Sequence, residues 1–150
     1  MKWVYNDGGR EAAGFSGPTG DCVTRSVAIA AELPYTLVYD RLAEGNATER
    51  QTRLSRKHRN AGKRTASHGI RTRRLWFKRY MAELGFVWVP TMSIGSGCKV
   101  HLADGELPMG RIIARVSRHY VAVIDGVIND TFDCSRGETR CVYGYWRLER

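Results

Sequence analysis

The dipeptide Asp125-Gly126 separates two apolar runs, Tyr120 to Ile124 and Val127-Ile128. Asp-Gly supplies the positive φ angles of a two-residue turn, so this segment reads as a tight β-hairpin. Such a turn pairs Ile124 with Val127, which in turn sets Val121 opposite Asp130 and His119 opposite Phe132. Side chains alternate across a strand, so His119, Val121, Asp130 and Phe132 share one face. Asp130 is then diagonal to His119, within reach of a carboxylate–imidazole bond. Asn129 and Asp133 fall on the opposite face, and Asp125 sits in the turn. A three-residue turn would invert the parity and bring Asn129 or Asp133 forward.

Strand-like runs surround the hairpin: Phe86 to Met92, Arg111 to Ser117, His119 to Ile124, Val127 to Phe132 and Val142 to Leu148. The first half has a different period. Val23, Val27 and Ala30 share a helical face with Ser26 beside it, while Arg25 and Glu32 can face water. Asp21 is a candidate N-cap for this helix, and Glu32-Leu33-Pro34 marks its stop. A second helix carries Pro34 in its first turn and runs through Leu37, Val38 and Leu42 to Gly45. A third runs from about Arg71 to Leu84, with Phe77, Met81 and Leu84 on one face, Trp76 and Tyr80 on the next, and Gly85 as its stop. Residues 6–20, rich in glycine and polar side chains, read as an ordered loop before the first helix. Helices followed by an antiparallel meander imply an α+β fold. A chain of 150 residues reads as one domain, with a basic loop or insertion at about 46–74.

Several function classes fall away. No apolar run opens the chain, so no signal peptide is expected. The longest apolar stretches, such as Tyr120 to Ile124, are far too short for a membrane helix. The chain is therefore expected to be cytoplasmic, with Cys22, Cys98, Cys134 and Cys141 reduced. None of these forms a C-x-x-C pair, so no metal site is expected, and Cys98, Cys134 and Cys141 read as small buried or loop residues. Neither a Walker loop nor a dinucleotide fingerprint occurs, so no cofactor is expected. Ser93-Ile94-Gly95-Ser96-Gly97 lacks the nucleophile-elbow pattern.

Cys22 stands at the start of the first helix and His119 at the start of the hairpin. A helix N-terminus and a nearby imidazole are the two devices that convert a thiol to a thiolate. A carboxylate such as Asp130 would fix the tautomer of that imidazole and make it more basic. First-turn N–H groups could donate to an oxyanion. The three residues together are the candidate catalytic set.

Gly20-Asp21-Cys22 opening a helix, followed by His119-Tyr120-Val121-Ala122-Val123 on a strand and an acid on the next, resembles the papain-like cysteine peptidases. The nearest branch is the bacterial one that trims double-glycine leader peptides; Leu107 to Ala114 resembles it as well. The chain as a whole, including Arg136 to Trp146, resembles small uncharacterised proteins of phages and bacteria. The resemblance implies a papain-like fold, in which a nucleophile helix packs on an antiparallel sheet. It implies thiol hydrolysis of a peptide or isopeptide bond, with Cys22 as nucleophile, His119 as general base and acid, and Asp130 as the orienting residue. Three positions depart from the pattern. No Gln precedes Cys22, since the only one is Gln51. Val23 stands where that branch has Gly, and Thr131 where it has Pro. Asn6 is the candidate substitute for the missing side-chain oxyanion donor.

Charge is concentrated. Of 24 Lys and Arg, twelve lie between residues 50 and 79, in a span from Glu49 that holds one of the 15 acids. Arg56, Lys57, Arg59, Lys63, Arg64, Arg71, Arg73 and Arg74 form the candidate basic surface, with Trp76 and Phe77 available either to stack on bases or to enter the core. The segment would meet nucleic acid or an acidic protein partner, or guide an acidic substrate to the cleft. His58 and His68 read as solvated. The alternative to an enzyme is therefore a non-catalytic basic accessory protein.

Overall fold

The computed structural model describes residues 1–16, 20–48 and 69–149. Arg56, Lys57, Arg59, Lys63, Arg64, His58 and His68 of the basic segment lie outside the described residues. Three described helices, α1 (Cys22–Ala31), α2 (Tyr35–Ala47) and α3 (Leu75–Glu83), accompany six strands. These are β1 (Trp3–Tyr5), β2 (Phe86–Pro90), β3 (Arg111–Val116), β4 (His119–Ile124), β5 (Val127–Asp130) and β6 (Gly144–Leu148). They form one sheet in the order β1-β5-β4-β3-β6-β2, and the architecture is mixed α+β.

The hairpin has the register that the Asp-Gly turn demands: Ile124 pairs with Val127, Val123 with Ile128 and Ala122 with Asn129. Asp125 (φ 49°) and Gly126 (φ 80°) both take left-handed backbone, the geometry of a type I′ turn. Elsewhere the topology departs from a meander. β6 is inserted between β3 and β2, antiparallel to both. β1 was not foreseen, and it pairs in parallel with β5, Trp3 beside Ile128 and Tyr5 beside Asp130. All three of its residues are exposed, so no alternation marks it as a strand. Gly45 does not end α2. The glycine makes room for Trp76, whose ring would lie 2.2 Å from an added Cβ.

The helices cover one sheet face, where Val27, Val38, Leu42, Phe77 and Met81 meet Ile113, Ala122 and Trp146. On the other face Ile112, Val121, Val123 and Ile128 are buried by Leu102, Leu107, Cys134 and Val142 from the loops. Every residue of α1 after Cys22 is buried, Arg25 included. The expectation that Arg25 faces water is therefore corrected. α1 is clamped at its C-terminus from the sheet: Arg111 donates from Nε to the Ala30 carbonyl at 2.7 Å and from Nη2 to that of Ile29 at 2.6 Å.

The cysteines also differ from expectation. Cys98 and Cys141 form a disulfide with Cα atoms 5.9 Å apart, across a sequence separation of 43 residues. The antiparallel bridge between His101 and Cys141 brings the two backbones together, which spacing alone does not reveal. Cys22 and Cys134 are free thiols. No described helix is long and apolar enough to cross a membrane.

Candidate active site

Cys22 is the first residue of α1 and is partly buried. The helix closes its first backbone bond from Arg25 N–H to the Asp21 carbonyl at 3.0 Å, so the N–H groups of Cys22, Val23 and Thr24 precede the helical ladder. Asp21 does not cap them. Its carboxylate instead accepts from Arg25, from the Tyr35 hydroxyl at 2.5 Å and from Arg10 Nε at 3.2 Å.

His119 opens β4 directly after the Ser117-Arg118 turn, where Val116 pairs with His119 and Arg118 holds a left-handed backbone (φ 55°). Buried Arg140 fastens this turn, donating to the Ser117 carbonyl at 2.5 Å and to that of Cys134 at 3.3 Å. The imidazole Nε2 lies 2.6 Å from Oδ2 of Asp130. Oδ1 of Asp130 accepts from Thr131 N–H at 2.7 Å and from Arg25 Nη2 at 3.4 Å. The Asp130 carbonyl accepts from the Trp3 indole at 3.1 Å and from Asn6 N–H at 3.0 Å. The Phe132 ring packs beside the imidazole, centroids 5.4 Å apart.

The electrostatics follow from this packing. Burial works against a charged His119. The hydrogen bond to Asp130, then those to the Cys134 and Cys22 thiols, outweigh it and push the pKa up to about 11. Burial alone would raise Asp130, but the His119 bond and charge, Thr131 N–H and Arg25 hold it below the ordinary carboxylate value. Burial pushes the Cys134 thiol up, against the His119 hydrogen bond. His119 and Asp130 thus form an imidazolium–carboxylate pair at neutral pH. Since Nε2 is committed to Asp130, Nδ1 is the ring nitrogen left for proton exchange with a thiol.

Cys22 and His119 line one cavity of about 370 Å³, together with Thr72, Arg115, Arg118 and Tyr120. Cys22, His119 and Asp130 are therefore brought together. Asn6 is not brought with them. Its Nδ2 donates to Asn129 at 3.2 Å, its Oδ1 accepts from Gly8 N–H at 2.9 Å, and it faces a separate cavity with Ala28 and Ile29. Its contribution to the site is the backbone N–H that holds Asp130. Of the candidate basic residues, Arg71, Arg73 and Arg74 are described, and Arg73 borders an adjoining cavity. Phe77 is fully buried and cannot stack on a base, and Trp76 packs over Gly45.

Arg25, Cys134 and Arg140 escaped the sequence reading. Arg25 had one visible signal, an i,i+4 relation to Asp21; Cys134 and Arg140 had none. Donor atoms of His119, Asp130 and Cys134 lie within 4.8 Å of one another, a set that could hold a metal ion. No protein-family model matches the chain, and comparison with curated proteins and with solved structures finds no match.

Proposed function

We propose that the chain is a papain-like thiol hydrolase that cleaves a peptide or isopeptide bond. The observation that carries this reading is the imidazole of His119, bonded to Asp130 at 2.6 Å and sharing the wall of one open cavity with the Cys22 thiol. With its thiol proton taken up by His119 Nδ1, the Cys22 sulfur would attack the carbonyl carbon, forming a C–S bond as the C=O π pair moves onto oxygen, and the N–H groups of the first α1 turn would receive that oxyanion. His119 would pass its proton to the departing amine as the C–N bond breaks, leaving a thioester. Water would then attack that thioester, His119 taking a proton from it and returning it to sulfur as the C–S bond breaks. Asp130 would hold the ring throughout, supported by Arg25 and Thr131.

The test is peptide-mapped alkylation by iodoacetamide across pH. Cys22 of the native protein is expected to react at least about tenfold faster than in His119→Ala, with Asp130→Asn in between. Equal rates in all three proteins would overturn the hydrolase reading. The alternative, a non-catalytic basic protein, would then be examined through salt-dependent binding to nucleic acid.

A further inference from the structure

A second cavity, of about 480 Å³, adjoins the first and shares Thr72, Arg115 and Tyr120 with it. Its walls are aromatic. The Trp88 and Trp146 rings lie 5.2 Å apart at 57°, and the Trp146 indole N–H donates to the Tyr120 hydroxyl at 3.4 Å. Trp88 lies flat against β6 at Gly144, where an added Cβ would come within 2.3 Å of the indole. Trp146 and Tyr120 are each only 6% exposed, so the floor is set by the core and not by mobile surface side chains.

Its rim is cationic. Arg73, Lys78 and Arg115 border it, and Arg118 borders the thiol cavity next door. No Asp or Glu lines either cavity among the described residues. None of the four cations makes an ion pair among those residues. An apolar slot ringed by unmatched positive charge is complementary to an apolar body that carries a negative charge beside it.

We propose that this pocket selects the substrate: a peptide segment whose bulky aromatic or branched aliphatic side chain enters the cavity and packs against the wall formed by Trp88, Trp146 and Tyr120, with an acidic residue beside it meeting Arg73, Lys78 and Arg115. Selection of a substrate rests on the hydrolase reading, whereas binding of the peptide does not. The shared wall of Arg115, Thr72 and Tyr120 places the occupant's backbone next to Cys22 and His119. The pocket thereby supplies a specificity that the Cys22 site lacks by itself.

The experiment separates the two ideas. Tryptophan fluorescence would follow titration of Cys22→Ser, which cannot turn over, with blocked hexapeptides containing Glu-Phe, Lys-Phe or Glu-Gly. Glu-Phe is expected to bind at least about tenfold more tightly than either of the others. Arg73→Gln/Lys78→Gln, at two exposed positions, is expected to weaken Glu-Phe binding and to remove most of its advantage over Lys-Phe, without weakening Lys-Phe binding. Equal binding of the three peptides would overturn the pocket proposal whatever the alkylation result. Displacement of Glu-Phe by a single-stranded oligonucleotide at lower concentration than by the free peptide would also overturn it, assigning the groove to nucleic acid. If Glu-Phe binds as expected while Cys22 alkylation is independent of His119, the pocket stands and the hydrolase reading fails.

Discussion

Arg25, one turn into α1, donates to Oδ1 of Asp130 at 3.4 Å, linking the helix that starts at Cys22 to the strand end that holds His119. The same guanidinium pairs with Asp21, and the two carboxylates are 1% and 3% exposed. Removing one partner from a buried charge cluster typically costs more than the cluster contributes in net stability. Arg25→Leu is therefore expected to lower the unfolding free energy by about 3–5 kcal/mol, read from urea denaturation. Arg25→Lys should fall between, because an ammonium cannot offer two carboxylates a rigid fork. A loss under about 1 kcal/mol in Arg25→Leu would show that Arg10 and Tyr35 already satisfy the cluster.

The His119–Asp130 pair makes stability depend on pH at both ends. The pKa of His119 is raised from 6.5 to about 11, so its contribution is complete below about pH 6.5 and declines as pH rises toward about 11. The pKa of Asp130 is lowered from 3.8, so its contribution is present above that value and is lost as pH falls below it. Urea midpoints of native protein and His119→Gln should differ most near about pH 6, draw together as pH rises and converge only above about pH 11. A gap that stays constant over that interval would refute the pairing.

Arg111 acts at the other end of α1. No basic residue lies in the last turn of the helix, and Arg111 of β3 supplies the missing cation to the Ile29 and Ala30 carbonyls. Arg111→Met should cost about 2–4 kcal/mol, since two charge-assisted hydrogen bonds are lost. Its ion pair with exposed Glu32 at 3.3 Å should matter little. Glu32→Gln is expected to shift stability by no more than about 0.5 kcal/mol. Chemical denaturation of the two variants side by side distinguishes the contributions.

The Cys98–Cys141 disulfide closes a loop across 43 residues. Loop-closure entropy for that length sets an upper contribution of about 4 kcal/mol. Cys98→Ser should lower Tm by on the order of 10 °C for a domain of this size. Cys22 alkylation should be unchanged below the transition, because neither bonded cysteine lines the Cys22 cavity. A variant that melts with the native protein would show the bond to be absent in solution.

Legibility in the sequence followed how local each determinant is. The hairpin was readable because Asp125-Gly126 sets the parity, and parity selects Asp130 over Asn129 and Asp133. The face of α1 was readable from Val23, Val27 and Ala30. Arg25 was not, because a charge on a helix reads as solvated until its partner is placed, and Asp130 lies 105 residues away. Asn6 was assigned to the thiol by its side-chain chemistry alone, whereas the β1–β5 pairing turns its amide toward Asn129. The disulfide and the insertion of β6 between β3 and β2 are long-range pairings with no periodic trace. The cavity walled by Trp88 and Trp146 depends on that insertion.

That strand order has a consequence for synthesis. Among the described residues β2 pairs only with β6, which emerges from the ribosome more than fifty residues later. Until Gly144–Leu148 arrives, the nascent chain carries β2 without its neighbour and Trp88 without the glycine it rests on. The growing polypeptide thus holds an unpaired strand edge and an uncovered indole for several seconds at typical translation rates. Chaperone dependence during expression is expected to fall on this interval, since the aromatic pocket cannot close before Gly144–Leu148 is made.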